Sequence, residues 1–314
     1  MYNRYNIMFP RVLAKVLIII LFFTTLPIAC APAEPLPVSS TIPEPVFSGS
    51  RAYQDAATQM GFGPRTPNSE GHAKTVSWLL DVLQAAGWET EIQTAAYNDY
   101  TIQNVIARRG SGTPWIILGA HYDTRIFADH DPAPQKRTQP VPGANDGASG
   151  VAVLTELARV LPRNPDGTLW LVFFDAEDNG RIADWDWILG SQAFVASLEG
   201  RPDAMVLVDM VGDADLQIYR ERNSDGALTD EIWGVAESIG YGDQFISAPK
   251  YRMLDDHIPF LQAGIPAVDL IDFDYPYWHT TADTLDKISA QSLAAVGDTL
   301  LHWLLAHPPG ETVP

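Results

Sequence analysis

His121, Asp123, Asp146, Glu177, Asp178, Asp209 and His279 all fall just beyond apolar runs that read as β-strands. The densest case is Leu169–Asp178, where Leu-Trp-Leu-Val-Phe-Phe runs straight into Asp175, Glu177 and Asp178. Such a run reads as a strand buried on both faces in a parallel sheet, with its acids at the carboxyl end. In an open α/β sheet that edge is where ligands bind. Carboxylates crowded there without partners suffer desolvation and mutual repulsion, so a cation or shared protons belong among them. The set holds nitrogen and oxygen donors and no thiolate, which suits zinc in a catalytic rather than a structural site. Two carboxylates and one imidazole would leave a coordination position open for substrate. One Asp after one strand is ordinarily a turn or cap; ligand-type residues at several strand ends point to a metal. His72, His130, His302 and His307 lack acidic company at strand ends and read as surface or helix-packing residues.

The elements that must position these groups alternate along the chain. Residues 71–86 place Ala73, Val76, Leu79, Leu80 and Leu83 on one helical face, closed by Gly87. Strands are expected at 88–94, 104–108, 115–120, 168–174, 204–208 and 266–271, and an exposed, aperiodic loop at 126–142. The small-residue turn 143–150 opens a helix over 151–161; it lacks the Lys and the Gly-x-Gly-x-x-Gly spacing of a phosphate cradle, and Asp146 is its telling feature. Helices follow at 229–239 and 256–263, the second stopped by Gly264. Ser289 caps a last helix to about residue 307, with Leu293, Val296, Leu300, Trp303 and Leu304 inward. This alternation predicts a three-layer α/β/α sandwich around a central, mainly parallel mixed sheet.

A formal charge of −19 argues against nucleic acid or an anionic membrane surface as partner. Arg4, Arg11 and Lys15 precede the apolar run Val16–Ala29, which ends at Cys30, the single cysteine of the chain. Residues 1–30 resemble a bacterial lipoprotein signal, with Pro27 in place of the usual aliphatic residue, and the run is short for a mature membrane span. The reading is an exported protein anchored through a lipid at Cys30, otherwise periplasmic or secreted. One cysteine excludes an intrachain disulfide. Proline-rich residues 31–47 read as a tether, 48–307 as one catalytic domain and 308–314 as a tail.

Seen together, Gly61-Phe-Gly-Pro-Arg65, Gly119-Ala-His-Tyr-Asp123, Gly143-Ala-Asn-Asp-Gly147, Phe174-Asp-Ala-Glu-Asp178, Leu189-Gly-Ser191, Asp255-Asp-His-Ile-Pro-Phe260 and Trp278-His-Thr280 resemble the motifs of glutaminyl cyclases. That family shares the zinc aminopeptidase (phosphorylase/hydrolase-like) fold. The resemblance implies that Asp146, Asp178 and His279 bind one zinc, that Glu177 is the general acid/base, that Asp209 and Asp256 form a hydrogen-bond relay near it, and that Trp278 lines the substrate pocket. Asp178 stands where the family usually has Glu. The implied substrate is the N-terminal glutamine of a peptide or protein, converted to pyroglutamate with loss of ammonia. An alternative branch is a two-zinc aminopeptidase, in which Glu177 activates a shared water, Asp146 bridges the metals and His121 with Asp209 completes the second site. A third reading, an exported binding protein on an inactive scaffold, would be expected to have lost ligands.

Overall fold

The computed structural model describes residues 45–163 and 167–306; the signal run, Cys30, most of the tether, His307 and the tail lie outside them. It begins with a helix that the apolar pattern conceals, α1 (Gly49–Phe62), whose buried positions are Gly49, Ala52, Asp55, Ala56 and Gln59. Small and polar residues bury here because α1 docks by ion pairs onto a later helix: Asp55 meets Arg159 at 2.6 Å and Arg51 meets Glu156 at 2.5 Å. Phe47, assigned from sequence to the tether, is also buried, and its ring occupies the space a side chain would need at Gly297.

Next come α2 (Glu70–Ala85), β1 (Glu89–Tyr97), β2 (Tyr100–Ser111) and β3 (Trp115–His121). On α2 the buried stripe is Gly71, His72, Thr75, Val76, Leu79 and Leu83, so Ala73 is exposed where an inward position was expected, and His72 is inward. The long β3–α3 connection stays irregular apart from a 3₁₀ turn at Pro134–Lys136, although Ala128, Asp131 and Val141 are buried within it. Then follow α3 (Ala148–Val160), β4 (Gly167–Phe174), α4 (Leu189–Ala196), β5 (Ala204–Asp209), β6 (Ile218–Arg220), α5 (Gly226–Ser238), β7 (Phe245–Pro249), α6 (Ile258–Gln262), β8 (Ala267–Ile271) and α7 (Ala290–Ala306).

The main sheet has six strands in the order β1-β2-β4-β3-β5-β8, and β6 pairs with β7 in a separate parallel ribbon. β4, β3, β5 and β8 run parallel, while β2 is antiparallel to both β1 and β4. β4 is therefore the strand where parallel and antiparallel halves meet, and its carboxyl end joins those of β3, β5 and β8 at one edge.

Strand residues alternate between two cores, as a period of two requires. Leu118, Leu171, Val206 and Val208 face the larger core with α1, α2, α3, α5 and α7, whereas Ile117, Val172, Met205 and Leu207 face a smaller one with Phe194 of α4 and Phe260 of α6. Both faces are covered, which makes the three layers. No helix among the described residues is long and apolar enough to cross a membrane.

Candidate metal centre

His121 is the last residue of β3, and the chain continues past it to Asp123, whose carboxylate is fully buried. Asp123 accepts hydrogen bonds from the backbone nitrogens of Glu177 (3.0 Å) and Asp178 (3.3 Å) and from Asn179 Nδ2 (3.2 Å). It thus fixes the turn that leaves β4, and Ala176 takes a left-handed φ of 56° within that turn. The three acids after β4 part company there. Asp175 turns away from Glu177 and Asp178 and is satisfied by His72 Nε2 (2.9 Å), Tyr100 Oη (2.6 Å) and Gln103 N (2.8 Å). His72 is consequently no surface residue: it ties α2 to the end of β4.

Asp146 sits in the turn before α3. The adjoining backbone is held by Asp283, which accepts from Asn145 N (2.8 Å) and Asp146 N (3.2 Å) and from Tyr275 Oη (2.7 Å). Gly147 follows because a Cβ there would lie 2.5–2.6 Å from His121. Asp209 ends β5, and His279 lies in the loop after β8 with a left-handed φ of 56°.

These ends converge. His279 Nε2 lies 2.8 Å from Asp178 Oδ1 and 3.7 Å from Asp146 Oδ2. His121 Nε2 lies 3.1 Å from Asp146 Oδ1 and 3.1 Å from Asp209 Oδ1. Two metal-sized groups result, Asp146/Asp178/His279 and His121/Asp146/Asp209, each with its ligand atoms within 4.8 Å of one another and sharing Asp146. His130, expected to lack acidic neighbours, joins Asp129 and His279 in a third, more exposed group and packs its ring on Trp278 at 4.6 Å. His302 is exposed on α7 and, among the described residues, bonds only to its own helix, at Asp298 O.

The donor set fits a cation. Among the described residues Asp146 Oδ2 and Asp178 Oδ2 are buried acceptors without a hydrogen-bond donor, a costly state unless a positive charge sits between them. Burial, then the Asp146 charge, pushes the Asp178 carboxyl well above the usual carboxylate range. Burial, helped by the Arg125 charge, pushes His279 down to about 3, which leaves the neutral imidazole that a metal requires. For His121, burial works against protonation, but the Asp209 charge and hydrogen bonds to Asp123, Asp146 and Asp209 outweigh it and raise the group well above its ordinary value.

Glu177 is 8% exposed at the same edge. Burial, followed by the Asp255 charge, drives its carboxyl well above the ordinary range. It opens with Asp146, Asp178 and Asp209 into a cavity of ≈ 190 Å³, walled by Trp187, Phe273 and Trp278. Trp278 lies on the His279 ring at 3.7 Å, and Trp187 stacks nearly parallel to it at 6.2 Å. Of the adjacent pair Asp255 and Asp256, Asp255 lines the cavity, and burial with the Asp209 charge raises it to about 7. Asp256, the member expected from sequence, is fully buried and not part of the wall. A doublet at a turn gives no sign of which side chain faces inward.

Three further contributors carried no sequence signal. Arg125 donates to Asp129 through Nε (2.7 Å) and Nη2 (2.8 Å) and to Asp178 O through Nη1 (2.8 Å), and its guanidinium lies 4.9 Å from the Trp187 ring. Asp283 and Trp187 lie in aperiodic loops, where only their contacts reveal them.

The model of peptidase family M28 matches residues 104–304. The chain belongs to that family. This M28 protein is 33% identical to Porphyromonas gingivalis glutaminyl cyclase, with a TM-score of 0.78 over 84% of this chain and 99% of that one. It is 26% identical to glutaminyl-peptide cyclotransferase of Gloydius blomhoffii over 280 residues, 74% of either chain. It is also 28% identical to aminopeptidase YwaD of Bacillus subtilis (strain 168) over 261 residues, 75% of this chain but about half (52%) of that protein. The M28 fold agrees with the three-layer sandwich expected from the strand and helix pattern.

Proposed function

We propose that the protein is a zinc-dependent glutaminyl-peptide cyclotransferase, which closes the N-terminal glutamine of a peptide to pyroglutamate and releases ammonia. The observation that carries this reading is the cavity, a small aromatic-walled space with a buried carboxylate and imidazole group beside it. Such walls suit a neutral carboxamide side chain, and the similarity to glutaminyl cyclases over nearly the whole of a solved chain supports the same activity.

In this reading Asp146, Asp178 and His279 hold one zinc, which as a Lewis acid would polarise the γ-carbonyl of the glutamine. Glu177 takes a proton from the α-ammonium. The freed amine nitrogen bonds to the γ-carbonyl carbon and gives up a second proton as the bond from that carbon to the amide nitrogen breaks; one of the two protons passes through Glu177 to the departing nitrogen, which leaves as ammonia, and the other goes to solvent. A carboxyl whose affinity for protons is raised by burial suits a shuttle that must both accept and give. Asp209 and Asp255 stand beside Glu177 as the hydrogen-bonding relay, with Asp255 in the place expected of Asp256. Trp278 covers the side-chain amide. Asp178 is shorter by a methylene than the usual Glu, and the turn from which it reaches the site is held by Asp123, which accepts from the nitrogens of Glu177 and Asp178.

The His121/Asp146/Asp209 group favours a second reading, a two-zinc aminopeptidase with Asp146 between the metals. Metal content by mass spectrometry, run beside assays on a glutaminyl and a leucyl peptide, separates the two. One zinc with pyroglutamate formation supports the cyclase, and two zincs with release of leucine support the peptidase. Export with a lipid on Cys30 belongs to the same proposal; Cys30→Ser should move the protein from the membrane fraction to the soluble one.

A further inference from the structure

We infer that Arg181 makes the mouth of the cavity a reader of negative charge, favouring glutaminyl peptides that carry a carboxylate on the second or third residue; this rests on the cyclase reading above. Arg181 lines the cavity and is exposed, and among the described residues its guanidinium makes no hydrogen bond, ion pair or ring contact. By contrast, Arg51, Arg108, Arg159 and Arg220 each pair with a carboxylate, and Arg125 is buried in the centre. An unpaired cation at the mouth is also out of keeping with a chain of charge −19, whose cavity is otherwise acidic.

The backbone beneath this side chain is fixed. Arg181 has a left-handed φ of 65°, its nitrogen donates to Trp185 O (2.8 Å), and Ile182 N donates to Asn179 O (3.2 Å). Trp185 is anchored in turn against Tyr97 (5.5 Å) and Tyr100 (5.2 Å). The loop therefore presents a tethered guanidinium, a planar fork that matches a carboxylate with two parallel hydrogen bonds. With the glutamine side chain in the aromatic space and its amine at Glu177, the remainder of the peptide leaves through the mouth, past Arg181 and the exposed Leu254. The carboxylate has two sources, the C-terminus of a dipeptide or an acidic side chain.

The zinc-loaded enzyme is assayed for ammonia release from Gln-Ala, Gln-Ala-amide, Gln-Glu-amide and Gln-Gln-amide. Wild type should show kcat/KM ~2–5-fold higher for a carboxylate-bearing peptide than for its neutral counterpart, the worth of an exposed ion pair. The preference should shrink as salt is raised and vanish in Arg181→Gln. Gln-Ala against Gln-Ala-amide reads the terminal source, and Gln-Glu-amide against Gln-Gln-amide reads the side-chain source. Equal values in wild type, or a preference that survives in Arg181→Gln, would overturn the assignment. If leucyl peptides are cleaved and glutaminyl ones are not, the cyclase reading fails by itself, and Leu-Ala against Leu-Ala-amide then puts the same question to Arg181.

Discussion

Glu177 and Asp178 are neighbours whose removal should fail in different ways. Glu177→Gln keeps shape and leaves Asp146, Asp178 and His279 in place, so zinc content should stay near wild type while turnover falls by roughly 10²–10⁴. In the proposed reading Asp178→Ala deletes a ligand, so bound zinc should drop and activity should return in part at high zinc; His279→Ala should behave likewise and His302→Ala should not. Metal analysis beside kcat checks each variant, and zinc loss in Glu177→Gln would contradict the separation of base from ligand. The types and edge positions of these residues were legible because charged side chains immediately after apolar strands have few bland uses in such numbers. Their partners were not. Asp123 looked like one more ligand-type acid, yet it accepts the Glu177 and Asp178 nitrogens and shapes the turn. His72 gave no hint of Asp175, because that pairing joins α2 to a strand end far off in sequence.

Secondary elements were legible where burial is apolar and periodic, as on β3, β4, β5 and α7. α1 escaped because its inward face is built from Gly, Ala, Asp and Gln and is held by ion pairs to α3. α4 escaped because it is short, and the β6–β7 ribbon because three- and five-residue strands leave almost no pattern. One buried acid ties that ribbon to the cavity wall. Glu221, just past β6, accepts from Asn223 N, Ser224 N and Met253 N, each at 2.8 Å, and lies 3.4 Å from His257 Nε2. Burial opposes its charge, but His257 and the backbone donors prevail and bring it down to about 2. A carboxyl with a depressed folded pKa stabilises fully above the unfolded value near 4.5 and loses that contribution as pH falls towards 2. Glu221→Gln should therefore cost ~1–3 kcal/mol at pH 7 through donors left unpaired, and should show a shallower loss between pH 4.5 and 2.5 than wild type. Thermal unfolding across that range is the measurement; parallel curves would rule out Glu221 as the source.

Across the whole molecule, the acid-rich edge of the sheet makes metal and stability one problem. Repulsion among Asp146, Asp178 and Asp209 is offset when a cation is bound, so chelation should lower the melting point and zinc should restore it. Zinc at a hundred times its Kd adds ~2.7 kcal/mol, roughly 5–10 °C for a domain of this size, and the shift should disappear in Asp178→Ala. A melting point indifferent to zinc would mean that the groups do not bind it in the folded state. Ala176, Met210 and His279 have φ values of 56°, 44° and 56°, all in the region that disfavours side chains. They stand after β4, β5 and β8, so the same edge that gathers the ligands is bent at three points, each costing roughly 1–2 kcal/mol. The sheet behind it is the spring that keeps those bends loaded. Relaxing one of them separates durability from speed: Ala176→Gly should gain ~0.5–1 kcal/mol of stability after its own entropy cost, while a looser Glu177 turns over more slowly. In the proposed reading, keeping alanine there gives up resistance to heat to hold Glu177 in aim.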